Sequence, residues 1–199
     1  MHSTLSDKNK SFHEKSDHSA LIKNIRKGDA YAFRTLFKMY YKPLVRYAQR
    51  YVRTTEAAED IVGDIFLKIW EKRARLDIKT SVKAYLFKMA HNGALNYLKS
   101  KRMEPADLFY LNLSLQSNLL TDETIHADEL KKHIEQAITE LPNRTRDVFT
   151  MHRYDNLKYS EIAEILNIKE GTVETHMVRA LKYLRKRLAF LLSVIPIFL

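Results

Sequence analysis

Apolar residues recur every three or four positions along most of this 199-residue sequence. The series Phe33, Leu36, Phe37, Tyr40 and Leu44 is one example, and such spacing places apolar side chains on one face of an α-helix. The chain has only 4 glycines and 4 prolines, too few for the closely spaced turns of a β-sandwich. The sequence therefore predicts an all-α protein.

The composition excludes several classes of function. The absence of cysteine excludes disulfides, thiolate-bound metals and a thiol nucleophile. Neither a glycine-rich phosphate loop nor a nucleophile elbow is visible. His126 and His133 are seven residues apart, whereas two metal-binding histidines on one helix are usually four apart. We therefore expect no enzyme activity, no cofactor and no metal site, while the net charge of +10 favours a polyanionic partner such as nucleic acid.

Charged residues lie in blocks that indicate domain boundaries. Residues 79–102 contain six basic residues and no acid, whereas residues 103–130 contain six acids and neither lysine nor arginine. We predict two small helical domains joined by an acidic flexible linker. The expected segments are a polar tail at 1–17, a first domain at 18–102, the linker at 103–126, a second domain at 127–190 and an apolar tail at 191–199. Residues 1–17 lack the apolar core of a signal peptide and the apolar C-terminal run is too short to span a bilayer, so we expect a cytoplasmic protein.

The second domain contains a helix-turn-helix pattern. A short helix at 160–166, with Ser160 as its expected cap and the small Ala163 at the crossing, precedes a turn and a longer helix that opens near Gly171. Leu181 is expected to point inward. The residues expected to face outward and to contact duplex DNA are Thr172, Glu174, Thr175, His176, Arg179 and Lys182. The alternative is an ordinary solvated amphipathic helix.

A basic helix at about 82–101 interleaves cations, amides and aromatic side chains. Cations follow a phosphate backbone, amides read base edges and aromatic rings stack on unpaired bases, so this pattern suits melted DNA. The candidate residues are Tyr85, Lys88, Asn92, Asn96, Lys99 and Arg102. Phe87 and Tyr97 extend the aromatic series. The alternative is that these aromatic rings belong to the core.

A third helix, at about 56–72, combines acidic and large apolar residues. Asp60 and Asp64 are one turn apart, and Ile, Phe and Trp residues follow them. This combination favours a protein partner with a basic surface. Gly63 lies in mid-helix, where glycine destabilises by around 1 kcal/mol relative to alanine, so it is expected to permit a close approach.

Three segments, in this order, resemble the extracytoplasmic-function (ECF) group of bacterial sigma factors, in the sigma-70 family. They are AEDIVGDIFLKIWEKR (Ala58–Arg73), AYLFKMAHNGALNYLKSKR (Ala84–Arg102) and LPNRTRDVFTMHRYDNLKYSEIAEILNIKEGTVETHMVRALKYLRKRL (Leu141–Leu188). The composition is similar to that of members from Bacteroidetes. The resemblance implies that the first domain is sigma region 2 and the second is region 4. It also implies binding to core RNA polymerase, through its β′ clamp and β flap, to promoter DNA and to a membrane-linked anti-sigma factor.

Residue roles follow from the same resemblance. The residues that match the clamp-binding stretch are Asp60, Ile61, Asp64, Phe66 and Trp70. The residues that match the minus-10 reading helix are Tyr85, Lys88, Asn92 and Asn96. The loop Arg73–Thr80 matches the pocket for a flipped base. The residues that match the minus-35 reading helix are Thr172, Glu174, Thr175 and Arg179. Two departures are Gly63, where glutamine is usual, and the pair Glu174 and His176, where many relatives are basic.

Two other functions remain open on the sequence alone. A free-standing helix-turn-helix regulator would bind duplex DNA by itself, usually as a dimer. A protein adaptor would use the acidic helix and the apolar tail, and would be insensitive to the loss of Arg179.

Overall fold

The computed structural model describes residues 18–52, 54–101 and 125–194. Within these ranges it has eight α-helices and no strand, which confirms the predicted all-α class. The helices are α1 (18–26), α2 (Ala30–Gln49), α3 (Thr55–Glu71), α4 (Val82–Lys101), α5 (Ile125–Thr139), α6 (Asn143–Arg153), α7 (Tyr159–Leu166) and α8 (Glu170–Val194), with a 3₁₀ turn at Arg73–Arg75. Most of the predicted linker, Arg102, the tail at 1–17 and residues 195–199 lie outside the described residues.

The first half of the chain is a helical bundle in which α2, α3 and α4 pack against one another. Local signals set the helix starts. The Asp29 carboxylate accepts hydrogen bonds from the backbone N–H groups of Tyr31 (2.8 Å) and Ala32, and caps α2. Thr54 caps α3 in the same way, because its hydroxyl oxygen accepts a hydrogen bond from the backbone N–H of Ala57 (3.2 Å). Between α1 and α2 the chain reverses at Gly28, whose φ of 87° is readily adopted only by glycine.

Burial corrects the prediction that Phe87 on α4, the basic helix, is available to stack on DNA bases. Phe87 is 1% exposed and packs edge-to-face against Tyr47, with 5.2 Å between the ring centroids. Its ring therefore belongs to the core and does not stack on DNA bases. Tyr85 and Tyr97 are half-buried and pack against the same core.

Replacement by alanine is expected to have opposite effects on stability at two mid-helix glycines. A Cβ on Gly93 would lie 2.8 Å from Cγ2 of Ile61 on α3, whereas a Cβ on Gly63 meets nothing within 4 Å. Because Ile61 is β-branched and stiff, Gly93→Ala is expected to destabilise the protein by about 1–3 kcal/mol through overpacking. Gly63→Ala is expected to stabilise it by about 1 kcal/mol through helix propensity. Chemical denaturation of both variants measures the two changes, and the same sign for both would contradict this account.

The second half contains α5 to α8, with α8 packed against α5, α6 and α7. The α7–turn–α8 unit confirms the predicted helix-turn-helix layout. Asn167 ends α7 in the left-handed conformation, with a φ of 52° that asparagine tolerates better than most residues. Ser160 is not the cap of α7, because the helix begins one residue earlier. Lys158 precedes the helix, and its backbone N–H donates to the Glu161 carboxylate (2.9 Å).

Candidate polymerase and nucleic-acid interfaces

The outer face of α8 is polar and basic. Thr172, Thr175, Arg179 and Lys182 are exposed and project away from the buried stripe that contains Val173, Met177, Ala180 and Leu184. The hydroxyl of Thr175 donates to the carbonyl of Gly171 (2.8 Å). Glu174 is exposed on the flank of this face. The structure therefore brings four of the six predicted duplex-binding residues onto one exposed surface.

His176 has a different environment from the one expected. It is half-buried, and its Nδ1 lies 3.0 Å from the hydroxyl of Thr145 on α6. Burial lowers the pKa of His176, and the charges of Arg179 and Arg144 act in the same direction. The imidazole therefore joins α8 to α6, because position 176 lies on the flank of α8 that faces that helix.

Two apolar residues on α8 are more exposed than the sequence suggested. Leu181, predicted to point inward, is 48% exposed because it lies at the margin of the buried stripe. Val178 is 60% exposed and neighbours Arg179 on the outward side. Sequence reasoning passed over Val178, although helical spacing alone places it beside the basic face. A side chain of this type suits the methyl group of thymine in the major groove.

The predicted minus-10 residues share one face of α4. Positions 85, 88, 92, 96 and 99 follow three- and four-residue spacing, which aligns them along the helix. Asn92, Asn96 and Lys99 are exposed, and Tyr85 and Lys88 are half-buried at the edge of the core. The structure therefore assembles two amides, two cations and one aromatic ring on a continuous surface.

The α3 helix divides its predicted polymerase-binding residues between surface and core. Asp60 and Asp64 are exposed, but Phe66 is 3% exposed and packs against Phe37, with 4.8 Å between the ring centroids. Ile61 is half-buried against Gly93. The exposed large apolar residue on this face is Leu67, at 55%, which sequence reasoning missed although it lies in register with Asp60, Gly63 and Asp64.

Trp70 contacts two neighbours through its ring. The ring centroid lies 4.9 Å from that of Phe33, and the guanidinium carbon of Arg73 lies over the ring, 4.4 Å from its centroid. Arg73 also donates to the backbone carbonyl of Trp70 (2.6 Å). The half-buried indole therefore supports the fold near the end of α3 and orders the start of the predicted base-binding loop.

The two halves of the protein touch, and α7 packs across α4. The hydroxyl of Thr80 donates to the Glu164 carboxylate (3.0 Å), and that of Ser81 donates to Glu161. Lys83 donates to the backbone carbonyl of Asn156 (2.8 Å). The first helix of the helix-turn-helix unit therefore places carboxylates against the end of the predicted base-binding loop.

A buried ion pair joins the halves beside this contact. Arg50 and Asp155 pair with side chains that are 3% and 7% exposed. Burial opposes the charge of Arg50, but Asp155 beside it keeps the pKa of Arg50 above its ordinary value. Burial raises the pKa of Asp155, and the Arg50 charge opposes that rise. Tyr51 adds a hydrogen bond to Asp147 (3.1 Å), whose carboxyl also has a pKa raised by burial.

His91 occupies a buried position close to this interface. It is 6% exposed, and its Nδ1 lies 2.9 Å from the hydroxyl of Tyr47. Burial lowers the pKa of His91 to about 4, with a smaller contribution from the charge of Arg144. His91, Arg144 and Asp147 are among the residues that line a cavity of about 260 Å³. The imidazole is therefore neutral in the folded protein at neutral pH.

This neutral histidine predicts a pH dependence of stability. The unfolded chain protonates His91 at an ordinary pKa near 6.5, whereas the folded chain does so only near 4. The full free energy of unfolding is therefore available above pH 6.5. As the pH falls towards 4, protonation of His91 in the unfolded chain lowers this free energy by about 3 kcal/mol. Denaturation midpoints at pH 7 and pH 4.5 should differ less in His91→Gln than in the wild type. His133→Gln, at an exposed histidine, is the matched control, and equal pH dependence in all three proteins would contradict the prediction.

No helix in the described residues is long and apolar enough to cross a membrane. Those residues also contain no group of three or more histidine or acidic residues arranged to hold a metal ion.

The fold defines a two-part helical protein whose second part is a helix-turn-helix module. Family models for Sigma-70 region 2 and Sigma-70 region 4 match residues 36–103 and 132–184. The ECF RNA polymerase sigma factor SigW of Bacillus subtilis is 29% identical over 180 residues, covering 84% of this chain and 94% of that protein. The ECF RNA polymerase sigma-E factor of Escherichia coli is 27% identical over 169 residues, covering 80% and 88%.

Two solved structures share the fold. CnrH, in complex with the cytosolic domain of CnrY, aligns with a TM-score of 0.58 at 19% identity, covering 88% of this chain and 96% of that one. The sigma factor RpoE of Bartonella quintana, in complex with the anti-sigma factor NepR, aligns with a TM-score of 0.54 at 19% identity, covering 79% and 96%. The chain belongs to the sigma-70 family, in its ECF group.

Proposed function

We propose that this ECF sigma factor binds core RNA polymerase through the exposed face of α3, reads the minus-10 element with α4 and reads the minus-35 element with α8. The observation that carries this assignment is that three chemically different faces of one chain are exposed. An acidic face with an exposed leucine lies on α3, a mixed amide and cationic face on α4, and a basic face on α8. Residues 18–102 would form region 2 and residues 127–190 region 4.

The α3 face suits a basic protein surface. Asp60 and Asp64 supply negative charge, Leu67 supplies exposed apolar area one turn beyond Asp64, and Gly63 leaves space beside the two carboxylates. Exposed apolar area next to charged residues is common in protein interfaces. The partner that this face would bind is the β′ clamp of the polymerase.

The two DNA-binding faces would bind different forms of DNA, with α4 on melted DNA and α8 on duplex DNA. On α4, Lys88 and Lys99 would hold phosphates while Asn92 and Asn96 bind base edges of the separated strand. On α8, Arg179 would pair with a guanine edge and Val178 would contact a thymine methyl. DNA melting would draw on binding energy summed over these contacts, and the chemistry of RNA synthesis would remain that of the polymerase. The protein would therefore be an initiation factor that works without a cofactor, in the cytoplasm where the polymerase lies.

Promoter geometry requires the two halves to separate. Positions minus-10 and minus-35 are 25 base pairs apart, or about 85 Å at 3.4 Å per base pair. In the structure α7 lies against α4, so region 4 cannot reach the upstream element while region 2 holds the downstream one. A membrane-linked anti-sigma factor would hold the protein inactive by covering the polymerase-binding face, in keeping with the anti-sigma factor bound in one of the related structures.

A reconstitution experiment tests this function. Purified protein is titrated with labelled promoter-region DNA, with and without core RNA polymerase, and complexes are separated by gel filtration. Specific DNA binding that requires the core enzyme, followed by transcripts from one start site, is the expected result. Tight binding to duplex DNA without core would contradict it and favour the helix-turn-helix regulator.

A further inference from the structure

The outer face of α2 carries a stripe of positive charge that none of the three faces above includes. Arg34, Lys38, Lys42 and Arg46 follow one another at four-residue intervals and are all exposed. Four-residue spacing aligns them on one side of the helix, over about 18 Å at 1.5 Å per residue. We call these four residues the α2 stripe.

Three of the four cations in the α2 stripe are not neutralised by their surroundings, whereas the fourth, Arg46, interacts electrostatically with the Asp155 carboxyl. Among the described residues, no carboxylate lies within ion-pair distance of Arg34, Lys38 or Lys42. Residues 18–52 contain one acid, Asp29, and its carboxylate caps the start of α2. Like charges at four-residue spacing destabilise a helix. The stripe therefore weakens α2 in isolation, and a polyanion would relieve the repulsion.

The neighbouring helices indicate which polyanion fits. The bundle has opposite charge on two faces, since α3 exposes Asp60 and Asp64 while α2 exposes only cations along its stripe. A basic protein partner suited to α3 would be repelled from α2. The helix α2 packs directly on α4, which carries the predicted minus-10 face, so both helices belong to the same bundle.

Tyr31 marks one end of the α2 stripe. It is 79% exposed in the first turn of α2, on the side that carries Lys38. An exposed ring beside a line of cations is the arrangement that proteins use to hold a DNA backbone and stack on a base or sugar.

We infer that the α2 stripe binds the sugar-phosphate backbone of promoter DNA in the holoenzyme, next to the segment held by α4. This inference rests on the proposed promoter-binding function. The contact is with phosphates and is independent of base sequence, so it would contribute affinity and orientation without specificity. At 3.4 Å per nucleotide step, the stripe spans about five nucleotides of one strand.

Salt titration of the holoenzyme on promoter DNA tests the inference. The variant Lys38→Gln/Lys42→Gln removes two of the proposed phosphate contacts. The slope of log affinity against log salt should become shallower by about 2, with affinity lower on the order of 30-fold at 0.15 M salt. The variant Lys38→Arg/Lys42→Arg keeps both charges and should retain the wild-type slope. Thermal unfolding of the glutamine variant should show no loss of stability, because like-charge repulsion is relieved.

Three results would overturn the inference or separate it from the proposed function. An unchanged slope in the glutamine variant overturns the inference while leaving the function intact. A loss of core affinity with an unchanged DNA slope also overturns it, and assigns the α2 stripe to the polymerase. Failure of the wild-type protein to give a core-dependent promoter complex would instead contradict the proposed function itself.

Discussion

Substitution of Asp60 by arginine is expected to abolish binding to core RNA polymerase while leaving the protein folded. Asp60 is exposed on α3, so its replacement removes no buried contact. A like charge placed against a basic partner opposes binding by several kcal/mol, and about 3 kcal/mol corresponds to a hundredfold rise in Kd. Titration of the labelled variant with core enzyme measures this change.

The control for Asp60→Arg is the same charge reversal one residue earlier. Glu59 is also exposed, but neighbouring residues on a helix point about 100° apart, so Glu59→Arg should retain most of the core affinity. Equal loss in both variants would indicate long-range electrostatics and contradict a defined docking face. Trp70→Ala is a poorer test, because the indole packs on Phe33 and Arg73 and its loss would also destabilise the fold.

Substitution of Asp155 by asparagine is expected to open the contact between the two halves of the protein. Arg50 is 3% exposed and would lose its ionic partner, and its Nε already has no hydrogen-bond partner. Leaving one member of a buried pair uncompensated destabilises by about 3–5 kcal/mol. Since the members of this pair come from different halves, separation of the halves relieves the cost by returning Arg50 to water. Small-angle scattering should show a larger radius of gyration for Asp155→Asn.

Two further variants show whether the Arg50–Asp155 pair itself holds the halves together. Asp77→Asn makes the same chemical change in the exposed Lys79–Asp77 pair and should have almost no effect, because exposed pairs contribute little. The double substitution Arg50→Met/Asp155→Leu removes both charges and should restore a compact protein. An unchanged radius in Asp155→Asn would show that the packing of α7 on α4 is sufficient alone.

The sequence alone located most of the helices and the helix-turn-helix unit. Their signals are local: apolar spacing for helix faces, and a turn that begins at Asn167. Family motifs identified the group for the same reason, since each motif lies within one continuous segment. The predicted roles of the site residues remain predictions, and the structure shows which of those side chains a partner could reach.

The burial of several side chains depended on how the helices pack together. Phe66 and Phe87 lie in series that also contain exposed residues, and only neighbouring helices decided that both belong to the core. His176 likewise faces Thr145, a contact between residues 31 positions apart. The spacing of apolar residues predicts only roughly which way a side chain points from the helix axis. Whether a residue at the edge of the apolar face is exposed or buried therefore depends on which helices pack beside it.

The sequence by itself determined the helical class, the helix-turn-helix unit and the family, because these depend on spacing within short segments. Only the tertiary structure revealed the contact of α7 with α4 and the buried pair of Arg50 with Asp155. Arg50 and Asp155 are 105 residues apart, and no local pattern marks either residue as a partner of the other. Such contacts are properties of how the helices assemble, and they become visible only when the distances between them are known.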